Sequence, residues 1–317
     1  MDTCRKGPRG RRSRAETRAG AAGSLTHGSG MLLSLLAPSL AGVVAASTAA
    51  VRPPPPLLVC TTATSLEGMA FCKHALATPG EFRVRACCRN PASARARALA
   101  DLGAEICVAD NNCLDSLTTA FDGAHAIYAI TTWSGSSFAI DGRVIRSENL
   151  DPAFLEESEV SQGETILRAA ERTPSLRHFV LQSMHRGGRA EGHAAYDAST
   201  PAPLHHRAKW RQEENLYASK NLTCAWSVLR QPTYLENFAN DETAAQGTEL
   251  RLLRPGVVSG LLGADEQLTV IAVDDLGALA VAMLRKGPEE YGGRVLAVGA
   301  ERISGRKLAA AASRVHG

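Results

Sequence analysis

Residues 57–68 read LLVCTTATSLEG, and this stretch decides the fold. The apolar run Leu57–Cys60 has the length of a strand, small residues follow it, and a helix is predicted from Gly68 to Ala77. A strand, a tight turn and a helix form the opening unit of a dinucleotide-binding fold, in which small residues let the backbone approach a diphosphate. The helix N-terminus that follows offers free N–H groups and the positive end of a dipole.

The glycine pattern of this turn is altered. Thr62 and Ser65 stand where the first two glycines are expected, and only the third, Gly68, is present. The β-branch of Thr62 disfavours a positive φ, and Ser65 adds a side chain where the backbone should approach a phosphate. The sequence alone therefore leaves open whether a dinucleotide binds.

Strand-like and helix-like segments alternate after this turn. Alternation of this kind predicts a parallel sheet covered on both faces, a Rossmann-type doubly wound α/β fold. The connection 133–156 has no clear period and is of a length typical of functional or mobile segments. Strands are predicted at 57–60, 82–88, 105–109, 125–131, 176–182, 222–229, 269–273 and 294–298, and helices at 68–77, 92–102, 114–121, 157–171, 206–219 and 304–315. A further helix is predicted after Asp274-Asp275 and runs through Met283.

Composition separates the N-terminal segment from the rest of the 317 residues. Residues 1–56 hold 8 Lys and Arg against 2 Asp and Glu, whereas the remainder holds 27 against 30, so the net charge of +3 comes from the leader. The body therefore has no basic footprint for nucleic acid. Eight cysteines occur without a CxxC pair, which favours buried small side chains and a reducing compartment over disulfides or zinc.

The leader and its Pro-rich spacer, residues 1–56, are predicted to be disordered. An Arg- and Ser-rich, acid-poor N-terminus is typical of a transit peptide, which predicts a plastid or mitochondrion. The uncharged stretch 31–51 is long enough to span a bilayer but is interrupted by Pro38 and Gly42. A membrane-anchored or a cytoplasmic protein remains the alternative, and no membrane contact is expected for the body.

Polar residues follow the predicted strands. Arg89, at the end of the second strand with no acid beside it, favours NADP over NAD, because an Arg there suits a 2′-phosphate; a solvated Arg is the alternative. Asp110 ends the third strand and either faces an adenine ring or caps the next helix, and capping is the commoner role. Thr131 ends the fourth strand beside the centre of a bound cofactor. The histidines at 185, 193, 205 and 206 lack metal-binding spacing, so no metal is expected.

From about residue 57 to 315 the chain resembles the NmrA-like family of atypical short-chain dehydrogenases/reductases. The resemblance rests on several short motifs: ATSLEG at 63–68, Arg89-Asn90-Pro91, Gly103-Ala104-Glu105 leading to Asp110, Val160-Ser161-Gln162-Gly163, the pattern Arg230, Pro232, Tyr234, Glu236 and Asn237, the stretch Val273–Gly277, and Ile303-Ser304-Gly305.

This resemblance implies a domain at 57–317, with a Rossmann core to about residue 235 and a small subdomain for substrate or partner built from 236–317. Because family members usually continue further after the motif Ile303-Ser304-Gly305, the resemblance leads us to expect that part of the substrate lid is missing or that the sequence is a fragment. The implied ligand is NADP, with NAD the less favoured choice. The cofactor-binding residues implied are Thr62, Thr64, Ser65 and Gly68 at the diphosphate, Arg89 at the 2′-phosphate, Asp110 at the adenine, Thr131 and Lys209 at the nicotinamide ribose, Tyr234 at the nicotinamide, and Asn237.

Catalysis is less clear, because short-chain reductases commonly place a Tyr four residues before the Lys and this chain has His205 there. His205, Lys209 and Tyr234 are the candidate catalytic residues. The favoured hypothesis is a redox-responsive regulator that binds NADP(H), turns over little and signals through a protein partner. The alternatives are an NADP-dependent reductase of a quinone or carbonyl compound, and an interaction protein that has lost its ligand. The sequence does not predict an oligomeric state.

Overall fold

The main sheet is built from strands that run in one direction. A computed structural model of the chain describes residues 53–133, 138–140, 143–145, 151–185, 203–238, 250–252, 258–260 and 264–316. Its seven parallel strands have the order β13-β8-β7-β4-β1-β2-β3. The strands of this sheet are β1 (Leu57–Cys60), β2 (Arg83–Cys88), β3 (Glu105–Val108), β4 (Ala126–Ala129), β7 (His178–Met184), β8 (Ala225–Gln231) and β13 (Val295–Ala297).

Helices cover both faces of the sheet, as the sequence predicts. One apolar core lies between the sheet and α1, α2 and α6, and a second lies between the sheet and α3, α4 and α5. The Rossmann-type doubly wound fold is thereby confirmed. The helices are α1 (Leu66–Leu76), α2 (Ala94–Asp101), α3 (Leu114–Phe121), α4 (Pro152–Glu171), α5 (Leu204–Ala218), α6 (Val273–Lys286), α7 (Pro288–Tyr291) and α8 (Gly305–His316).

A small mixed sheet and two hairpins complete the described structure. Strand β12 (Gln267–Ile271) pairs parallel with β9 (Thr233–Tyr234) and antiparallel with β14 (Glu301–Ser304). A third apolar cluster, Phe238 with Val270 and Ile303, packs behind this sheet. The hairpins join β5 (Phe138–Ile140) to β6 (Arg143–Ile145) and β10 (Leu250–Leu252) to β11 (Val258–Gly260).

Residues after 236 are shared between the two parts of the body. Helix α6 packs against α1, and a Cβ at Gly277 would lie 2.6 Å from the backbone carbon of Ala70, so only glycine permits this approach. Strand β13 extends the main sheet beside β8. The segment 236–317 therefore contributes α6 and β13 to the main sheet and its covering layer, as well as β12 and β14 to the small mixed sheet.

The predicted connection 133–156 is shorter than expected. Helix α4 begins at Pro152, with Asp151 as its N-cap and its carboxylate accepting from the Ala153 amide. Proline at the first helical position is a common start signal, but the polar run Glu156–Glu159 interrupts the apolar period directly after Leu155. Strand β8 also extends to Gln231, so Arg230 and Gln231 belong to the strand and do not follow it.

Two of the sequence predictions concern residues that lie wholly or partly outside the described part of the chain. Residues 1–52 of the predicted leader lie outside the described part of the chain, and so does His193. None of the described helices is both long and apolar enough to cross a bilayer. Within the described residues, Cys60, Cys72, Cys87 and Cys88 are buried free thiols, and Cys107 and Cys224 are partly exposed free thiols. Cys113 is disulfide-bonded, so the expectation that the cysteines form no disulfide is wrong at this position.

Candidate functional site

The turn after β1 keeps the backbone conformation of a glycine although a threonine occupies it. Thr62 has φ +50°. A β-branched residue in this region is strained by on the order of 1–3 kcal/mol. Its hydroxyl donates to the Ile130 carbonyl oxygen at 2.9 Å, which anchors the turn to the end of β4. The positive φ that the sequence disfavours is therefore present, and the side chain is turned onto the protein's own backbone.

Ser65 also turns its side chain back onto the protein. Its Oγ accepts from the Gly68 amide at 3.0 Å and caps α1. The first hydrogen bond along the helix runs from the Met69 amide to the Ser65 carbonyl, so the amides of Leu66 and Glu67 precede it. A Cβ at Gly68 would lie 2.6 Å from the Ala63 Cα, so a side chain there would push the helix off the turn.

A cleft of about 230 Å³ opens at the carboxyl ends of β1, β2 and β3. This is the side of the sheet where the strand order reverses, and ligands of doubly wound folds bind there. The cleft is lined by Thr62, Thr64, Ser65, Cys87, Cys88, Arg89, Ala109, Asp110, Asn111, Asn112, Thr132 and Gln162. The structure thus brings together five of the predicted cofactor residues, and Gly68 lies directly beneath the turn.

Arg89 and Asp110 stand at the outer end of the cleft. Arg89 is exposed and makes no hydrogen bond or ion pair with the described residues. Asp110 does not cap α3, because the N-cap of that helix is Cys113, which makes no side-chain capping bond. The Asp110 carboxylate instead accepts from the Asn112 amide at 2.9 Å. The commoner of the two roles considered for Asp110 is therefore wrong, and its carboxylate lines the cleft.

Asn111 and Gln162 form an amide network across the inner end of the cleft. The Asn111 side-chain amide donates to Thr62 Oγ1 at 3.0 Å and to Gln162 Oε1 at 3.3 Å. Gln162 in turn bonds both backbone groups of Thr132, at 2.9 Å and 3.0 Å. Sequence reasoning did not assign this network. A signal was present, because Gln162 interrupts the apolar face of α4.

A second group of predicted residues surrounds the buried carboxylate of Glu159, one helical turn before Gln162. Thr131 Oγ1 donates to it at 2.8 Å, and His205 Nδ1 lies 2.7 Å from its other oxygen. Lys209 Nζ lies 3.6 Å away and donates to Gln182 Oε1 at 2.6 Å. The side chains of Glu159 and Lys209 are each only 1% exposed. We call these four residues, Thr131, Glu159, His205 and Lys209, the Glu159 cluster.

The electrostatics of the Glu159 cluster follow from burial and pairing. Burial opposes ionisation of Glu159, but the charges of His205 and Lys209 and the hydrogen bonds to the carboxylate hold its pKa below the usual value. Burial also lowers the pKa of Lys209, against the attraction of Glu159. Each charged group is therefore held by the others and has little left to offer a ligand.

Tyr234 and Asn237 lie outside both groups. The Tyr234 hydroxyl donates to Glu67 at 2.8 Å, and burial, with the charge of Glu67, raises the pKa of this phenol well above its usual value. Asn237 is half-buried in the short 3₁₀ helix Leu235–Phe238. Neither side chain is among those that line the cleft, although Tyr234 contacts Glu67 in the first turn of α1, next to Gly68.

The motif around Tyr234 has architectural contacts. Arg230 is buried and makes a two-pronged pair with Glu213, at 3.0 Å and 2.6 Å, which ties β8 to α5. Both oxygens of Glu236 accept from the Val273 amide and thereby cap α6. Within the described ranges, no group of three or more His, Cys, Asp or Glu side chains is placed to hold a metal ion.

Comparison with known proteins now assigns the family. Residues 57–317 match the NmrA-like family. The chain belongs to this family. Over 122 residues it is 30% identical to the "NmrA-like family domain-containing oxidoreductase notA'" of Aspergillus versicolor, a match that covers 33% of this chain and 34% of the relative. The NmrA-like chain thus matches about a third of that relative's length.

Solved structures of low sequence identity share the fold. NmrA, described as a negative transcriptional regulator and crystallised with NAD, is 18% identical with a TM-score of 0.61, over 82% of this chain and 71% of NmrA. NmrA has also been crystallised with NADP. The NADPH-dependent quinone oxidoreductase QOR2 of Escherichia coli, crystallised with NADPH, is 21% identical with a TM-score of 0.57, over 81% and 75% of the two chains. At these identities the similarity establishes the fold alone.

Proposed function

We propose that this NmrA-like protein binds NADP(H) in the cleft and acts as a redox-responsive regulator with little or no turnover. In this proposal Thr62, Thr64, Ser65 and Gly68 border the diphosphate, and the amides of Leu66 and Glu67 face it at the start of α1. The cocrystal structures of NmrA with NAD and NADP, and of QOR2 with NADPH, support a dinucleotide as the ligand.

Arg89 supports NADP over NAD. It follows β2, where the adenosine ribose lies in this fold, and its guanidinium is exposed and has no partner among the described residues. Asn90 and Pro91 follow it, so no carboxylate is adjacent in sequence to accept from a 2′-hydroxyl. A guanidinium that is not already paired is suited to a 2′-phosphate.

The observation that carries the proposed lack of turnover is the pairing inside the Glu159 cluster. Hydride transfer to a carbonyl or quinone needs a proton donor that reaches the reduced oxygen. Lys209 is buried with its ammonium group on Gln182 and Glu159, and the Tyr234 hydroxyl donates a hydrogen bond to Glu67. Both groups are committed to the protein, which favours a binding role over a catalytic one.

The reductase alternative has one observation in its favour, and it concerns His205. Its ring is 29% exposed, its Nδ1 lies on the Glu159 carboxylate, and its ring centroid lies 5.3 Å from that of Trp133. A histidine oriented by a buried carboxylate is a common form of general acid. In this alternative His205 donates the proton, and Lys209 and Tyr234 complete the catalytic set.

Stopped-flow measurement of NADPH oxidation with a panel of quinones and carbonyl compounds tests the proposal, once calorimetry has established binding. We expect NADPH to bind and its absorbance to persist through many times the half-life of the complex. Hydrogen exchange at residues 61–65 should then differ between the NADPH and NADP⁺ complexes.

Turnover that is lost in His205→Ala and retained in His125→Ala would overturn the regulator in favour of the reductase. His125 is a suitable control because it is exposed at the opposite end of β4. No heat with NADPH or NADH would reject both and leave the interaction protein without a ligand.

A further inference from the structure

Two cysteines face each other across neighbouring strands beside the cleft. Cys87 of β2 and Cys107 of β3 are Cα partners in a parallel register, so their side chains point to the same face of the sheet. Both pack against the core beneath α3 and α4. Neighbouring strands lie about 4.7–4.9 Å apart, and a disulfide spans Cα atoms about 4.4–6.8 Å apart. The Cα spacing that this register sets is therefore within the range that a disulfide spans.

The two thiols differ in access to solvent. Cys87 is 1% exposed, whereas Cys107 is partly exposed because β3 is the edge strand of the sheet. An oxidant from solvent can therefore reach Cys107 first. Cys87 lies behind it as a second thiol in contact.

Hydrogen bonding between the two thiols shifts their pKa values in opposite directions. The Cys87 thiol donates to Cys107, which lowers the pKa of Cys107 to about 7 against the opposing effect of burial. The guanidinium of Arg85 acts in the same direction, and the carboxylate of Glu105 opposes it. The same hydrogen bond and burial raise the pKa of Cys87 well above its usual value. Cys107 is thus the thiolate that attacks the oxidant, and Cys87 is the resolving thiol.

We infer that Cys87 and Cys107 are a peroxide-sensitive thiol pair that closes reversibly to a disulfide at the wall of the cleft. The Cys107 thiolate attacks one oxygen of hydrogen peroxide, the O–O bond breaks, and hydroxide leaves, so Cys107 becomes a sulfenic acid. Cys87 then attacks that sulfur, the S–O bond breaks, and the Cys87 proton leaves with the hydroxyl group as water. Two thiols lose two electrons and hydrogen peroxide becomes two waters.

The position of the pair connects it to the glycine-like turn. Cys87 lines the cleft, and its carbonyl oxygen accepts from the Ala63 amide at 2.9 Å, directly after Thr62. A covalent bond between β2 and β3 at this level therefore constrains the strand that holds the turn. The pair itself needs no bound nucleotide.

Cys224 provides a control within the same chain. It is a partly exposed free thiol like Cys107, but burial raises its pKa to about 11 and no thiol among the described residues accompanies it. At neutral pH only a small fraction of Cys224 is thiolate, so it should react with peroxide far more slowly than Cys107.

The experiment treats the full chain with substoichiometric hydrogen peroxide, alkylates the remaining thiols and maps the peptides by mass spectrometry. We expect a Cys87–Cys107 link that dithiothreitol reverses, and loss of Cys107 alkylation at least about tenfold faster than that of Cys224. In Cys87→Ala the link should be absent, and dimedone should trap a sulfenic acid on Cys107. Cys224→Ser should behave as the wild type.

Loss of Cys107 alkylation no faster than that of Cys224 would overturn the inference, as would a Cys107 link to any other cysteine. Because the readout is covalent and uses no nucleotide, it is independent of whether NADP(H) binds.

Discussion

The cleft and the Glu159 cluster lie along the same carboxyl edge of one parallel sheet, and they use their polar groups in opposite ways. In the cleft, Arg89 is exposed and has no partner among the described residues. In the Glu159 cluster, the side chains of Glu159 and Lys209 are each 1% exposed. Glu159 accepts a hydrogen bond from Thr131, and Lys209 donates one to Gln182. A charge can serve a ligand only where the protein has not already paired it. The first region is therefore suited to binding and the second to holding the fold together.

The largest expected effect is a loss of unfolding free energy from a substitution in the Glu159 cluster. Glu159→Gln removes the carboxylate that compensates the buried ammonium group of Lys209 and orients His205. Breaking a buried pair in this way costs about 3 kcal/mol or more, because the remaining charge stays desolvated. Urea unfolding at neutral pH should report this loss.

Glu157→Gln is the matched control on the same helix. Its carboxylate is 63% exposed and pairs with Arg211 at the surface. Such a pair contributes little, so we expect a change within about 0.5 kcal/mol. Equal losses of unfolding free energy in the two variants would mean that the buried pairs of Glu159 contribute no more than a surface pair.

A second prediction concerns the packing of α1 against the turn that borders the cleft. Gly68→Ala places a methyl group 2.6 Å from the Ala63 Cα and from the Thr62 carbonyl oxygen, so the helix and the turn must separate. Overpacking against backbone costs about 2–3 kcal/mol, measurable by urea unfolding, and should also weaken NADPH binding.

Gly103→Ala separates steric from conformational effects. Among the described residues, no atom lies within 4 Å of the position that the new methyl group would take, but the φ of Gly103 is +98°. We expect a loss of about 1–2 kcal/mol from backbone strain alone, with NADPH affinity unchanged. If Gly68→Ala proved as harmless to nucleotide affinity as this control, the close approach of α1 to the turn would not matter for the cleft.

A smaller effect comes from His206, beside the Glu159 cluster. Burial, then the charge of His205, lowers its pKa to about 4 from an ordinary 6.5. The unfolded chain takes up the proton first as pH falls, so the stability contributed by neutral His206 is complete above about pH 6.5 and is lost between about 6.5 and 4.

His206→Gln should therefore reduce the difference in unfolding free energy between pH 7 and pH 5 by about 1–2 kcal/mol. Chemical denaturation of both proteins at the two pH values measures this. An unchanged difference would show that His206 gains no proton on unfolding.

Much of the fold could be predicted from the sequence because its signals are local. Apolar strand runs such as Leu57–Cys60 are readable within a few residues, and the first helix was predicted from Gly68, two residues after its observed start at Leu66. The start of α4 at Pro152 was missed because the polar run Glu156–Glu159 separates its apolar first turn from the periodic part of the helix. The family followed from short motifs, and the match over residues 57–317 confirms it.

The site could be predicted only in part because its pairings are long-range. Glu159 meets Thr131 and His205 across 28 and 46 positions of the chain, and no local pattern announces such contacts. Thr62 likewise has a positive φ that its side chain disfavours, because hydrogen bonds to Ile130 and Asn111 outweigh the strain. Arg89 and Asp110, which follow the ends of strands, line the cleft, and their contacts with a nucleotide stay a prediction.

The central claim is that the cleft binds a dinucleotide that bears a 2′-phosphate, and that Arg89 binds this phosphate. Calorimetric titration of Arg89→Ala with NADPH and NADH tests it, with Arg83→Ala, exposed at the opposite end of β2, as the control. We predict that Arg89→Ala weakens NADPH about 10–100-fold and leaves NADH nearly unchanged, since a charge-assisted bond contributes about 1.5–3 kcal/mol, and that Arg83→Ala affects neither. Equal weakening of both nucleotides by Arg89→Ala, or no binding by the wild type, would contradict the account.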